Sequence, residues 1–214
     1  MHYLRAMHEN DLPLLTASVA FDLDLTLVDT RDLSRGAVEH INSTYGTAVA
    51  VEEFVQSTGL PVREQLAKWV PDTQLDEVIR GYRQWIVEVG LDRASALPSA
   101  RDALERAMAF AGATAVVTSR LDWIGNRLLS ASGLRVDALI GNRTGAEKAP
   151  AIRDVHAVCY VGDHPLDMVG ARMADTRAIG VLTGMHSREE LFDAGAHAVI
   201  NDLSELTSGI MAGK

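Results

Sequence analysis

Five short, unbroken apolar runs punctuate the chain: residues 18–22 (SVAFD), 114–118 (TAVVT), 136–140 (VDALI), 157–161 (AVCYV) and 177–181 (RAIGV). Runs of this length, rich in Val, Ile and Ala and without polar alternation, suit strands covered on both faces in a parallel sheet. Between most of them the pattern changes to a helical period. Residues 99–112 (SARDALERAMAFAG) open on a capping-box pattern at Ser99 and Asp102, set Ala103, Leu104, Ala107, Met108 and Ala111 on one face, and reach Gly112 as a stop. Residues 122–133 (DWIGNRLLSASG) read the same way, with Gly133 ending the helix. Strands alternating with helices predict an α/β fold built on a doubly wound parallel sheet.

Residues 32–96 break that rhythm. They contain no convincing strand, hold Trp69 and Trp85, and read as four helices: 33–46, 51–59, 62–70 and 75–90. The expected organisation is therefore a helical cap, residues 32–96, inserted into a core formed by residues 1–31 and 97–214. Ligands of open α/β sheets bind beyond the carboxyl ends of the strands. An insert placed after the first strand would cover that region and could act as a lid.

Composition narrows the picture. The 214 residues suffice for one domain carrying a smaller insert. No apolar run approaches the ~20 residues that cross a bilayer, and the first fifteen residues (MHYLRAMHENDLPLL) carry charges and a proline where a signal peptide needs an apolar stretch. Cys159 is the one cysteine, so no internal disulfide forms and a cytoplasmic location is the default. A net charge of −9 argues against nucleic-acid binding while leaving room for a small anionic substrate. Oligomeric state is not legible.

The candidate chemistry sits where the apolar runs end. The first run delivers Asp22 and, two residues on, Asp24. TAVVT ends at Thr118 and Ser119. AVCYV leads into Asp163, with Asp167 four residues further, and Lys148 lies in the connection before it. Alternation points Asp22 and Asp24 to one side. If these ends meet, four carboxylates share a small space. Two unit charges ~4 Å apart repel by about 4 kcal/mol at an effective dielectric of 20. Such a cluster must either take up protons or hold a cation. All-oxygen ligands favour a hard ion, and Mg²⁺ fits best. Taken singly, each motif has an ordinary reading: a turn, a helix cap, a solvated lysine. Their joint occurrence, each at a strand end, is what carries weight.

With these residues in place the sequence resembles the haloacid dehalogenase superfamily, in its helical-cap branch of phosphoglycolate-phosphatase-like and β-phosphoglucomutase-like members. FDLDLTLVD, VVTSR, Lys148 and YVGDHPLD are similar to its four motifs, and MVGARMADTRAIGVLTG and AGAHAVINDLSEL extend the likeness over nearly all the chain from Ala17. Two departures stand out. Leu25 occupies a position where the family usually has glycine, so the turn is expected to form with less backbone freedom. The segment between Lys148 and Asp163 is short, so the helix after the lysine is expected to shrink to a turn around APAIRDV.

The resemblance implies a Mg²⁺-dependent phosphatase that hydrolyses a small phosphorylated metabolite through an aspartyl-phosphate. Asp22 would be the nucleophile and Asp24 the acid and base. Asp22, the Asp24 main-chain carbonyl, Asp163 and Asp167 would hold the metal. Thr118 and Lys148 would bind phosphoryl oxygens, with Ser119 beside them. Arg63 on the insert and Arg120 after Ser119 are candidates for substrate contacts. A phosphomutase with the same phosphoenzyme chemistry is the alternative. A dehalogenase, which needs neither metal nor acid, would leave Asp24, Asp163 and Asp167 without a task. A catalytically silent binding protein would leave the whole set without one.

Overall fold

The computed structural model describes residues 15–214; most of the N-terminal stretch read above for a targeting signal lies outside the described residues. Six parallel strands form the central sheet in the order β5-β4-β1-β6-β7-β8. They are β1 (Ser18–Phe21), β4 (Thr114–Val117), β5 (Ala138–Ile140), β6 (Ala157–Gly162), β7 (Arg177–Val181) and β8 (Ala198–Ile200). Each is short and largely apolar because both faces are covered. In β1, Val19 and Phe21 enter one core layer and Ala20 the other, where it meets Tyr160. Of the five runs predicted as strands all five are strands of this sheet, and β8 joins its edge.

The chain leaves the sheet through β2 (Val28–Asp29) and returns through β3 (Ser95–Ala96). These pair antiparallel, Val28 with Ala96 and Asp29 with Ser95. The stretch expected to lack strands thus has one two-residue strand, required to close the ribbon at the base of the insert. Between them run α1 (Arg31–Tyr45), α2 (Val51–Gln56), α3 (Val62–Leu66) and α4 (Asp72–Trp85), the last continued by a π-helical turn, Ile86–Gly90. Leu33, Ile41, Phe54 and Tyr82 of these helices join the same apolar cluster as Val19 and Phe21. The insert is therefore packed onto the sheet's core rather than hung from it.

The remaining helices are α5 (Ala100–Ala111), α6 (Asp122–Ala131), α7 (Lys148–Asp154), α8 (Pro165–Met173), α9 (Arg188–Asp193) and α10 (Ser208–Ala212). Helix α5 buries Ala100, Ala103, Leu104 and Ala107, while Met108, at the edge of the predicted stripe, is exposed. Ser99 does not form the expected capping box: at φ 62° it is left-handed and its side chain caps nothing. The turn expected after Lys148 is instead the seven-residue α7, because Pro150 falls in its first turn, where a proline costs no hydrogen bond. Among the described residues no helix is long and apolar enough to cross a membrane.

The turn after β1 forms with a leucine. Leu25 takes φ 56° and is fully buried. Its N–H donates to the Val28 carbonyl (2.8 Å), and its own carbonyl accepts from the Thr183 hydroxyl (2.5 Å). A left-handed non-glycine residue costs roughly 1–2 kcal/mol, which the surrounding contacts must offset.

Candidate active site

Strand β1 runs directly into the site. The Asp22 N–H extends the sheet ladder to the Val161 carbonyl (2.8 Å), which fixes the carboxylate at the strand's end. Helix α8 is set by its own N-terminus: His164 Nδ1 accepts from the Leu166 N–H (3.0 Å), and Asp167 accepts from the His164 N–H (3.1 Å). That cap aims the other Asp167 oxygen at Lys148, at the start of α7. The Lys148 ammonium donates to Asp167 (2.5 Å), Asp22 (2.7 Å) and the Tyr160 hydroxyl (2.9 Å). Tyr160 in turn donates to the Val117 carbonyl (2.7 Å). Asp163 accepts from the Thr26 hydroxyl (2.8 Å).

Carboxylate oxygens of Asp22, Asp163 and Asp167 lie within 4.8 Å of one another, all three residues buried. Two glycines make the crowding possible. A Cβ on Gly162 would collide with the Asp167 carboxylate, and one on Gly184 with that of Asp163. One lysine is thus shared by a group of three acids. The electrostatics follow. Burial, reinforced by Asp167 and Asp24 and opposed by Lys148, pushes Asp22 up to about 7. Burial and the neighbouring Asp167 and Asp22 push Asp163 well above the usual carboxylate range. Burial works against a charged Lys148, but Asp167 and Asp22 outweigh it and hold the ammonium charged. The donor set is all oxygen, anionic and short of positive charge, which fits a hard divalent cation held by Asp22, Asp163 and Asp167.

The expected cluster of four carboxylates is a cluster of three. The carboxylate of Asp24 turns away to Arg120, whose Nε and Nη2 donate to it at 3.0 and 2.8 Å, and it accepts from the Thr30 hydroxyl (2.6 Å). Burial alone would raise Asp24, yet Arg120 and Thr30 outweigh it and hold the carboxyl below its usual value. Arg120 is in turn placed by Thr118, whose hydroxyl accepts its N–H (3.2 Å). Thr118 itself is fully buried at the end of β4.

A cavity of about 400 Å³ lies between the insert and the core. Asp24, Ser119 and Arg120 line it from below; Thr58, Arg63, Tyr82 and Arg83 line it from the insert. Ser119 lies on the cavity wall. Arg63 reaches it too, but it is exposed and its guanidinium is ion-paired with Asp76. Four participants were not singled out from the sequence. Thr26 belongs to the quoted first motif and Thr30 follows it directly, and their hydroxyls are a usable signal. Tyr160 sits inside an apolar run and Arg83 inside a helix, and neither position marks itself.

Comparison with known proteins places this geometry in context. A sequence model of the haloacid dehalogenase-like hydrolases matches residues 19–181. The chain is 28% identical over 223 aligned residues to a protein of Dickeya dadantii named "Probable phosphatase IndB", covering 91% of this chain and 93% of that one. It is 22% identical over 215 residues to the phosphoglycolate phosphatase of Haemophilus influenzae, covering 88% and 95%. A haloacid dehalogenase-like family hydrolase of Streptococcus pneumoniae shares the fold with a TM-score of 0.79 at 19% identity, over 90% of this chain and 96% of that one.

Proposed function

The chain belongs to the haloacid dehalogenase-like hydrolase family, and from that premise we propose that it is a phosphatase acting on a small phosphorylated metabolite through an aspartyl-phosphate on Asp22. One observation supports this above the rest: Lys148 joins Asp22 to Asp167 beside Asp163, gathering three buried carboxylates at the ends of β1 and β6. Asp22, Asp163 and Asp167, with the Asp24 main-chain carbonyl, are the residues we assign to Mg²⁺. The ion would keep these carboxylates ionised and screen Asp22 from an anionic substrate.

Asp22 attacks phosphorus, forming the Asp22–phosphorus bond as the bond to the leaving oxygen breaks. Lys148 and Thr118 stabilise the phosphoryl oxygens. Asp24 protonates the leaving oxygen and then takes a proton from the water that cleaves the intermediate. Paired with Arg120, Asp24 is a carboxylate, the form required for the second half; the first half requires that Arg120 release it and that it take up a proton from solvent before passing that proton to the leaving oxygen. Residues 32–96 act as a cap that selects the substrate, with Arg63, Ser119 and Arg120 as contacts, over a core of residues 1–31 and 97–214.

The test is an aryl phosphate assay with and without chelator, followed by a panel of phosphorylated metabolites. Chelation should abolish hydrolysis and Mg²⁺ should restore it. Full activity in excess chelator would remove the metal from the scheme, and failure to hydrolyse any phosphate ester with Mg²⁺ present would overturn the phosphatase reading.

A further inference from the structure

The cavity over Asp24 has a charge pattern at odds with the chain that forms it. The chain carries a net charge of −9, yet Arg63, Arg83, Arg120 and Arg143 all line this one space. The acids facing them there are Asp24, Glu64 and Glu147. Three of the four arginines are engaged. Arg120 holds Asp24, Arg63 is paired with Asp76, and Arg143 donates to the Asn142 carbonyl (3.1 Å). Arg83 differs. It is half-buried on α4 and makes no hydrogen bond or ion pair with any described residue. It also borders the adjoining cleft, where the apolar Ile79, Val87, Leu121 and Trp123 alternate with Asp76, Arg80 and Glu88, and neither acid there pairs with it.

An unpaired guanidinium removed from water is costly, and buried charges are ordinarily paired. Arg83 has lost part of its hydration without gaining a partner. Burial lowers its affinity for the proton, and the neighbouring Arg63 and Arg120 lower it further against a smaller opposing effect of Tyr82. Every one of these effects would be relieved by an anion. The anion's place along a substrate follows from the lining: the cavity includes Asp24, assigned above to the leaving oxygen, while Asp22, assigned to phosphorus, is not among its lining residues.

We infer that Arg83 is the specificity-determining residue of a second anion subsite, and that the substrate is a phosphate compound whose leaving group carries its own carboxylate or phosphate. This rests on the phosphatase reading for the direction of the substrate, but not for the existence of the subsite. A guanidinium fork matches either oxyanion in bidentate fashion, so the shared chemistry is a planar pair of anionic oxygens.

Binding of non-hydrolysable analogues tests it on the full chain with saturating Mg²⁺. Methylphosphonate offers one phosphoryl-like head, phosphonoacetate adds a carboxylate, and methylenediphosphonate adds a second phosphonate. By titration calorimetry, at least one of the two longer compounds should bind about tenfold or more tightly than methylphosphonate, as expected of one charge-assisted contact. Whichever does so identifies the second anion. Arg83→Met should bring that ratio close to one, and Arg83→Lys should retain part of it; Arg83→Gln replaces the methionine variant if melting curves show the latter unfolded. A wild-type ratio near one, or a ratio that survives Arg83→Met, overturns the inference and leaves Arg83 a solvated surface charge. The two readings fail separately. A protein that hydrolyses no ester but keeps an Arg83-dependent ratio retains the subsite and loses the phosphatase assignment; turnover with no ratio does the reverse.

Discussion

Asp22 and Asp24 stand two residues apart on one strand end, are both buried, and differ in charge state because of what faces them. Asp22 shares one lysine with Asp167, beside the carboxylate of Asp163, and is pushed up to about 7. Asp24 has an arginine and a hydroxyl to itself and is held low. Burial acts on both in the same direction. The difference lies in the ratio of cations to carboxylates: one to three in the first group, one to one in the second. Neighbouring identical side chains thus acquire different chemistry from partners that arrive from distant parts of the chain.

The sharpest way to break the comparison is to remove each carboxylate in turn. Asp22→Asn should lower turnover by on the order of 10⁴–10⁶, the scale on which a covalent nucleophile is lost, and should give no phosphoenzyme. It also removes one of three crowded acids, so its thermal midpoint in chelator should not fall below that of the wild type. Retention of near-normal turnover would withdraw the nucleophile assignment.

Asp24→Asn should slow turnover by roughly 10²–10⁴ and act differently in kind. An aryl phosphate needs little help in leaving, so Asp22 should still be phosphorylated, and the intermediate should accumulate for want of a base. Mass spectrometry of acid-quenched protein should show one added phosphoryl group on Asp22; a label elsewhere contradicts the assigned roles. The same change strands Arg120, whose side chain is 13% exposed. Stability should fall by about 3 kcal/mol, the lower range for breaking a buried pair, as read from chemical denaturation.

The smallest effect is in pH dependence. With Asp22 and Asp163 raised, the native state holds protons above pH ~4 that the unfolded chain has released. In chelator, stability should therefore fall as pH rises from about 4 to about 7. Asp24 contributes in the opposite sense: its stabilisation is present above the unfolded carboxylate value and is lost as pH drops below it. For a chain of this size each kcal/mol moves the midpoint by roughly 2–4 °C. Melting curves between pH 5 and 8 should slope downward in chelator and flatten with Mg²⁺. Asp22→Asn should reduce the slope; an unchanged slope would assign it to other groups.

Much of this architecture was legible in the sequence because buried parallel strands leave unbroken apolar runs. Five of the six sheet strands could be placed along the chain, and so could the residues at their ends; the order in which the strands lie side by side, and the edge strand β8, could not. Side-chain partners could not. Nothing in the spacing of VVTSR says that Arg120 folds back on Asp24 rather than reaching for a ligand. Arg63 stands out on the insert, yet Asp76, thirteen residues on, engages it, while Arg83 in the last turn of α4 is the arginine lining the cavity that is left without a partner among the described residues. Such outcomes depend on which helices meet across the insert, and local pattern carries no information about that. Ser99 failed as a cap for a related reason: its backbone is set by the preceding turn rather than by the helix it precedes.

Leu25 bears on how motifs ought to be written down. The turn after β1 demands a left-handed backbone, and a glycine at this place is one means of supplying it. Here the demand is met by a leucine whose side chain is fully buried. Burying such a side chain contributes about 1.5–3 kcal/mol, comparable to or larger than the ~1–2 kcal/mol cost of the conformation. Core packing can therefore underwrite a backbone geometry that the residue's own preferences oppose. A search pattern that insists on glycine would pass over this chain; one framed as a dihedral requirement, with the letter left open, would retain it.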